Sequence, residues 1–292
     1  MMSSVHEVDS PSSPSTWLSL VIGNSRLHWG IVTAAGAIAT WDSEYWDQKA
    51  LQKVTDISSI LQVLSSASKY PSARSPAIDL QSILVSKSLH PELWLASVVP
   101  TQTHVWQQVV PSHVITLDQV PLHNLYGTLG IDRALALLGA GKKFGFPALV
   151  IDGGTALTFS GVTGDRQFVG GAIAPGLRLQ RRLLSQHTAA LPPLETLEIQ
   201  NLDRWATQTA SAIQSGIVYT MLAGVADFVK SWWQMYPNSA LVFTGGDGEF
   251  LFQQMQQRLG QDQRMPNASN PSTDDLHFCS SLVFEGICTL LS

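Results

Sequence analysis

An aspartate and an arginine stand side by side in the segment Gly130-Ile131-Asp132-Arg133, directly before a strongly helical stretch. A carboxylate at such a place can accept the proton of a substrate hydroxyl. A guanidinium can bind a substrate carboxylate through two parallel hydrogen bonds. The alternative is structural, with Asp132 as the N-cap of the helix and Arg133 as a surface charge. These four residues alone leave both interpretations open.

Glycine-containing turns follow three short apolar runs of the chain. They are Gly23-Asn24-Ser25, Gly153-Gly154-Thr155 and Thr244-Gly245-Gly246-Asp247. Glycine allows the backbone to approach a phosphate group closely, and backbone N–H and hydroxyl groups can donate to it. The third turn precedes a predicted helix, whose N-terminus favours an anion. Each turn could be an ordinary hairpin turn, but three of them together indicate a nucleotide site. None matches the lysine-containing phosphate loop or the GxGxxG fingerprint.

The elements around the first two turns recur in the two halves of the chain. Apolar runs separated by tight turns predict two antiparallel meanders. Their strands are 17–22, 27–32 and 38–46 in the first half, and 148–151, 156–162 and 166–173 in the second. Gly23 and Gly154 occupy equivalent places, 154 − 23 = 131 residues apart. A helix is predicted over 131–144, and further helices and strands follow each meander. We therefore expect an α/β protein with two halves of like architecture and a ligand cleft between them.

The composition narrows the class of protein. Of 292 residues, 45% are hydrophobic, which suffices for two cores, and the net charge of −5 disfavours nucleic acid as a partner. Cys279 and Cys288 match neither a disulfide framework nor a zinc site, and buried thiols in a reducing compartment are expected. No uninterrupted apolar run reaches the roughly 18 residues of a membrane helix. Residues 1–16 are predicted to be a disordered lead without the features of a signal peptide. We expect a cytoplasmic protein without a membrane partner.

Seven motifs in order carry a resemblance to a known family. They are Ile22–Ser25, Gly130–Arg133, Asp152–Ala156, Gly170–Gly176, Thr209–Gly216, Thr244–Gly246 and Leu282–Gly286. The chain from about residue 17 to its end resembles the type III pantothenate kinases. The most diagnostic pair is the Gly-Ile-Asp-Arg turn followed twenty residues later by Asp-Gly-Gly-Thr-Ala.

The resemblance implies a fold and an activity. The fold is the actin-like ATPase fold, with two ribonuclease H-like domains at 17–128 and 129–292 and a homodimeric assembly. The activity is transfer of the γ-phosphoryl group of ATP to the 4′-hydroxyl of pantothenate, which begins coenzyme A synthesis. Mg²⁺ and a monovalent cation, K⁺ or NH₄⁺, are the implied cofactors.

The resemblance also implies roles for individual residues. Asp132 is the expected proton acceptor, and Asp152 the expected ligand of the monovalent cation. The expected substrate contacts are His123, Gly130, Ile131, Asp132, Arg133 and Thr209, with Arg133 on the pantothenate carboxylate. The expected ATP contacts are Val21, Ile22, Gly23, Asn24, Ser25, Arg26, Leu27, His28 and Thr155.

The chain departs from the family pattern at three places. Val21 stands where the family usually has an aspartate that would help to hold Mg²⁺. His28 replaces a frequent lysine, and His123 replaces a frequent substrate-contacting tyrosine, with Tyr126 nearby. The loss at Val21 gives some weight to a non-catalytic regulator on the same scaffold. A sugar or acetate kinase is a third possibility, although Arg133 beside Asp132 favours an acceptor that carries a carboxylate.

Overall fold

The computed structural model describes residues 16–66, 89–188, 191–192, 202–262 and 273–291. The chain divides into two compact units, one of Met1–Ile115 with Cys288–Ser292 and one of Thr116–Ile287. The boundary between the two units thus lies before the boundary expected at 128/129. The backbone of His123 pairs with Arg166 and Phe168, which places it in the second unit. The predicted lead over 1–16, apart from Thr16, lies outside the described residues.

The first unit is built on a five-stranded mixed sheet. Its strands are β1 (Trp17–Ile22), β2 (Leu27–Thr33), β3 (Gly36–Ser43), β4 (Leu93–Ser97) and β5 (Ser112–Val114), in the order β3-β2-β1-β4-β5. The first three are antiparallel, and β4 and β5 add to β1 in parallel. Strand alternation places Leu18, Leu20 and Ile22 of β1 in the core, so that Val21 faces the other side of the sheet.

Helices and a tryptophan cluster complete this unit. The helices are α1 (Gln48–Leu51), α2 (Ile57–Ser66) and α3 (Pro100–Val109). Trp29, Trp46 and Trp106 meet in the core with ring centroids 5.3–5.4 Å apart. The third strand was expected to reach Trp46 but ends at Ser43, because Asp47 caps α1 by accepting the Ala50 N–H at 2.8 Å.

The second unit repeats the sheet. Its strands are β6 (Ala148–Gly153), β7 (Ala156–Val162), β8 (Phe168–Pro175), β9 (Ala240–Thr244) and β10 (Leu276–Phe278), in the order β10-β9-β6-β7-β8. Its helices are α4 (Ile131–Phe144), α5 (Leu177–His187), α6 (Thr209–Met235) and α7 (Gly248–Asp262), and α8 (Leu282–Leu290) is the last helix of the chain.

The two sheets have the same strand order: β3-β2-β1-β4-β5 in the first unit corresponds to β8-β7-β6-β9-β10 in the second. Gly23 follows β1 and Gly154 follows β6, so the two turns take equivalent places in their sheets. The predicted α/β class and the duplication of architecture are therefore confirmed. This is the ribonuclease H-like topology, repeated as in the actin-like ATPases.

Helix α6 is long and apolar enough to span a membrane by length and composition, with a mean hydropathy of 1.4 over its most apolar window. Its apolar residues do not form an uninterrupted run of that length, because Gly216 and Gly224 divide the segment. Residues of α6 such as Val225 and Val229 are buried in the core of the second unit, where they cover the sheet. Cys279 and Cys288 are both buried.

Candidate functional site

The second glycine turn closes the β6–β7 hairpin. Asp152 lies one residue before the end of β6, and the Gly154 N–H donates to the Ala156 carbonyl at 3.1 Å. A Cβ at Gly154 would lie 3.3 Å from Asp152 Oδ1. The turn is therefore tight, and its glycine leaves room for the Asp152 carboxylate beside the backbone.

The third glycine turn packs directly against this hairpin. Strand β9 runs parallel to β6, with Thr244 opposite Asp152, and the Asp247 N–H donates to the Gly153 carbonyl at 2.8 Å. Gly245 has φ +85°, and a Cβ there would lie 2.2 Å from Asp152 Oδ1. Only glycine satisfies both conditions. The two turns thus meet around one carboxylate, next to the N-terminus of α7, which favours an anion.

The chemistry of this cradle fits a cation and a polyphosphate. A carboxylate oxygen of Asp152 lies among backbone groups of Gly153, Gly154 and Gly245, and carboxylate and carbonyl oxygens are hard ligands for K⁺ or Mg²⁺. Among the described residues there is no group of three or more His, Cys, Asp or Glu side chains that could hold a metal ion. An Mg²⁺ ion would therefore need oxygen ligands from the nucleotide itself, as is usual for this ion.

The Gly130–Arg133 segment begins α4. Gly130 is the N-cap, with φ −60° and ψ 132°, and it has no side-chain cap. The interpretation of Asp132 as the N-cap is therefore wrong. Asp132 is the second helical residue, where its Oδ1 accepts the backbone N–H of Arg133 at 2.8 Å. Its carboxylate is half-buried, and the helix dipole favours a negative charge in this first turn.

Arg133 is buried, so the interpretation as a surface charge is also wrong. Its Nε donates to Ser160 Oγ at 2.9 Å, its Nη2 to the Phe159 carbonyl at 2.9 Å and its Nη1 to the Tyr126 hydroxyl at 3.1 Å. Three of its five N–H groups thus have partners among the described residues. A substrate could therefore use only part of this guanidinium. These three partners are neutral, so the site keeps a strong attraction for an anion.

Gly171 makes room for this guanidinium. A Cβ at Gly171 would lie 2.5 Å from Arg133 Nη2 and 2.0 Å from the Phe159 carbonyl oxygen. The second glycine of the pair in β8, part of one of the motifs of the resemblance, is therefore explained by the packing of Arg133 against β7 and β8. The first, Gly170, has open space around it and a φ of +143°, which favours glycine.

Strand β7 links the Arg133 site to the Asp152 cradle. Thr158 pairs with Asp152, and Ser160, which holds Arg133, lies two residues further along β7. Residues two apart in a strand share a face, and so do directly opposed residues of an antiparallel pair. Asp152, Thr158 and Ser160 therefore lie on one face of the hairpin. Residues two apart in a strand, such as Thr158 and Ser160, are separated by about 7 Å. The opposite face carries Phe159 into the core.

Two predicted substrate contacts lie elsewhere in the second unit. His123 is exposed, and its backbone pairs with Arg166 and Phe168 at the start of β8. Thr209 begins α6 and lines a cavity of about 520 Å³ together with residues of α5 and α6 such as Gln180 and Thr220. Among the described residues that line this cavity, none belongs to the Gly130–Arg133 segment.

The first glycine turn lies in the first unit, where it joins β1 and β2. The Gly23 N–H donates to the Arg26 carbonyl at 3.1 Å, and the Tyr45 hydroxyl donates to the Gly23 carbonyl. Burial raises the pKa of the Tyr45 hydroxyl above 10.0. Asn24, Ser25 and Arg26 are exposed.

The other expected ATP contacts in the segment 21–28 lie in strands β1 and β2 or next to them, where strand alternation determines their exposure. Val21, Ile22 and Leu27 have buried side chains, so a ligand could reach them only through their backbone. Thr155, in the turn of the second unit, is exposed. Tyr45 and Tyr126 bind site residues but were not among the predicted contacts, since nothing in their local sequence shows which group a phenol reaches.

The chain is similar to known proteins of one family. The family profile described as type III pantothenate kinase matches residues 17–231. A protein of that name from Nostoc sp. is 44% identical over 241 residues, which cover 82% of this chain and 85% of the relative. The protein of that name from Synechocystis sp. is also 44% identical, over 236 residues that cover 80% of this chain and 79% of the relative.

This chain belongs to the type III pantothenate kinase family. The family indicated by the seven motifs is thereby confirmed, and with it the expectation of a kinase. The matched region contains every predicted site residue, from Val21 to Thr209.

Solved structures agree in fold with this member of the family. A Campylobacter jejuni protein assigned to the Baf family of transcriptional activators superposes with a TM-score of 0.55 at 18% identity, covering 94% of this chain and 96% of the other. The ethanolamine utilization protein EutJ of Carboxydothermus hydrogenoformans gives 0.50 at 11% identity, covering 96% and 92%. At these identities the likeness concerns the fold alone.

Proposed function

We propose that this family member transfers the γ-phosphoryl group of ATP to the 4′-hydroxyl of pantothenate. The observation that carries the proposal is the arrangement on β7. Ser160, which accepts a hydrogen bond from the buried Arg133, lies two residues along this strand from Thr158. Thr158 pairs with Asp152, around which two glycine turns converge. One site suits an anionic acceptor, and the other suits a polyphosphate with a cation.

The proposed roles follow from these positions. Arg133 attracts the pantothenate carboxylate through the N–H groups that Ser160, Phe159 and Tyr126 do not occupy. Asp132, held at the start of α4, orients the acceptor hydroxyl and accepts its proton, which typically contributes about 10²–10⁴-fold to the rate. The glycine turns with Thr155 bind the nucleotide phosphates, and positioning supplies much of the remaining catalysis.

Cofactors and assembly belong to the same proposal. Asp152 would hold K⁺ or NH₄⁺, and Mg²⁺ would arrive with ATP and neutralise charge on its phosphates when bound. A homodimer is supported by exposed apolar side chains on β8, at the edge of its sheet, where Val169 is 42% and Ile173 66% exposed. Light scattering tests the dimer. A cytoplasmic location is supported by the two buried thiols.

A coupled assay of ADP release tests the activity. The purified protein with MgATP is compared with and without pantothenate, in K⁺ and in Na⁺, and the product is identified by ³¹P NMR. We expect ADP release that requires pantothenate, is faster in K⁺ and yields a phosphate monoester.

Control acceptors separate the alternatives. Pantothenyl alcohol keeps the 4′-hydroxyl but lacks the carboxylate, so it should react poorly, and glucose and acetate should not react. Equal rates with pantothenate and its alcohol would contradict the role of Arg133. Absence of any pantothenate-dependent ADP release would favour the non-catalytic alternative.

A further inference from the structure

The first glycine turn has a histidine and a carboxylate beside it. His28 Nδ1 lies 2.6 Å from Asp42 Oδ1. The two residues are direct cross-strand partners of β2 and β3, and their side chains therefore share a face. The Asp42 side chain is 9% exposed and that of His28 is 38% exposed. The carboxylate is thus covered by the fold, whereas the imidazole reaches solvent.

The other ring nitrogen of His28 faces the turn. A Cβ at Gly23 would lie 3.4 Å from His28 Nε2. A carboxylate accepts hydrogen bonds, so the 2.6 Å contact requires a proton on Nδ1. Asp42 thereby fixes both the rotation of the ring and the nitrogen that points to the Gly23–Arg26 turn.

The same row of the sheet contains the departure from the family pattern. Val21 pairs with His28, which pairs with Asp42, so the three residues lie side by side across β1, β2 and β3. Adjacent strands are about 4.8 Å apart, which places Asp42 about 10 Å from Val21. Asp42 is therefore too distant to act in place of an aspartate at position 21, whereas its contact with His28 connects it to the turn.

We propose that Asp42 is a positioning residue of the nucleotide site, which holds the His28 imidazole so that Nε2 donates to a phosphate oxygen of ATP at the Gly23–Arg26 turn. The inference rests on the proposed function, because it takes ATP as the ligand of this turn. In the bound state the ring lies between two anions, with Nδ1 facing the Asp42 carboxylate and Nε2 facing the phosphate.

The test compares His28→Gln, Asp42→Asn and the double variant, with Asp47→Asn as the matched control. Asp47 lies in the same unit, and its exposed carboxylate caps α1. Loss of one charge-assisted hydrogen bond should raise the KM for ATP about tenfold in each single variant. The KM for pantothenate should change less than about twofold, because pantothenate is proposed to bind at Arg133 and not at this turn. The control should match the unaltered protein.

The double variant distinguishes positioning from an independent role. Because Asp42 acts through His28, the double variant should be no worse than His28→Gln alone. Additive losses, or a fall in melting temperature without a change in the KM for ATP, would overturn the inference. The ¹⁵N NMR signals of the His28 ring report its protonation directly, and Asp42→Asn should alter them because an amide can donate to Nδ1 and select the other tautomer.

Calorimetric binding of ATP separates this inference from the proposed function. Titrations with metal-free ATP and with MgATP should both be weakened in the variants. A loss seen only with MgATP would mean that His28 ligates the metal, and would overturn the phosphate contact. If the unaltered protein binds ATP and the variants bind it equally well, this inference alone fails. If the unaltered protein binds no nucleotide, the proposed function fails as well.

Discussion

Replacing Arg133 by lysine separates the two roles that the structure gives to this side chain. The guanidinium joins the start of α4 to Ser160, Phe159 and Tyr126. Lysine can reach one of these acceptors at most, so two charged hydrogen bonds are lost, at about 1.5 kcal/mol each. For a unit of this size, a loss of about 3 kcal/mol lowers the melting temperature by about 6–12 °C.

The same substitution should also affect the acceptor site. Loss of a bidentate contact with the pantothenate carboxylate should lower kcat/KM for pantothenate about 10²-fold, whereas the Kd for ATP should hardly change. Calorimetry and the coupled assay measure both quantities, with the exposed Arg178→Lys as the control. An unchanged melting temperature would refute the structural role. A destabilised variant with normal pantothenate kinetics would refute the substrate role.

Three further predictions concern the turns and the pH dependence. Gly245→Ala should raise the KM for ATP and abolish activation by K⁺, because the Cβ would collide with Asp152 at a positive φ. Gly260→Ala, where the Cβ would meet open space, should change neither property. Equal behaviour of the two variants would contradict the proposed cation site at Asp152. Tyr45→Phe removes the hydrogen bond to the Gly23 carbonyl, and the loss of roughly one hydrogen bond should raise the KM for ATP severalfold. An unchanged KM would show that this contact does not position the turn. Burial lowers the pKa of the His277 imidazole below 6.5, so the unfolded state binds the proton more readily, and the contribution of this group to stability falls as the pH drops below 6.5. Between pH 7.5 and 5.5 the melting temperature of His277→Gln should therefore fall less than that of the unaltered protein. An equal fall would contradict this.

The strands and helices that carry the site follow from local sequence. The helix predicted over 131–144 has those bounds in the structure, and so does the strand over 156–162. Both are long, regular patterns closed by glycine or proline. Strand β10 was not predicted because three residues carry too little periodicity, and its place is set by pairing with β9.

The contacts of the site residues were less accessible from sequence. Spacing placed Asp132 and Arg133 at the start of α4, but it could not show that Arg133 is buried against Ser160, since that contact joins positions 27 residues apart. The pairing of His28 with Asp42 depends in the same way on the register of β2 and β3. Motifs identify the groups that can do chemistry, whereas sheet register determines which groups meet.

Turnover by the Asp132→Asn variant tests the central claim most directly. Asparagine has the same shape and can still accept the Arg133 N–H with its amide oxygen, so the start of α4 and the binding of ATP should persist. It cannot take a proton from the acceptor hydroxyl, and kcat should fall about 10²–10⁴-fold. Steady-state turnover with saturating MgATP and pantothenate gives kcat, and calorimetry gives the Kd for ATP. A kcat equal to that of the unaltered protein would contradict the role of Asp132 as the proton acceptor.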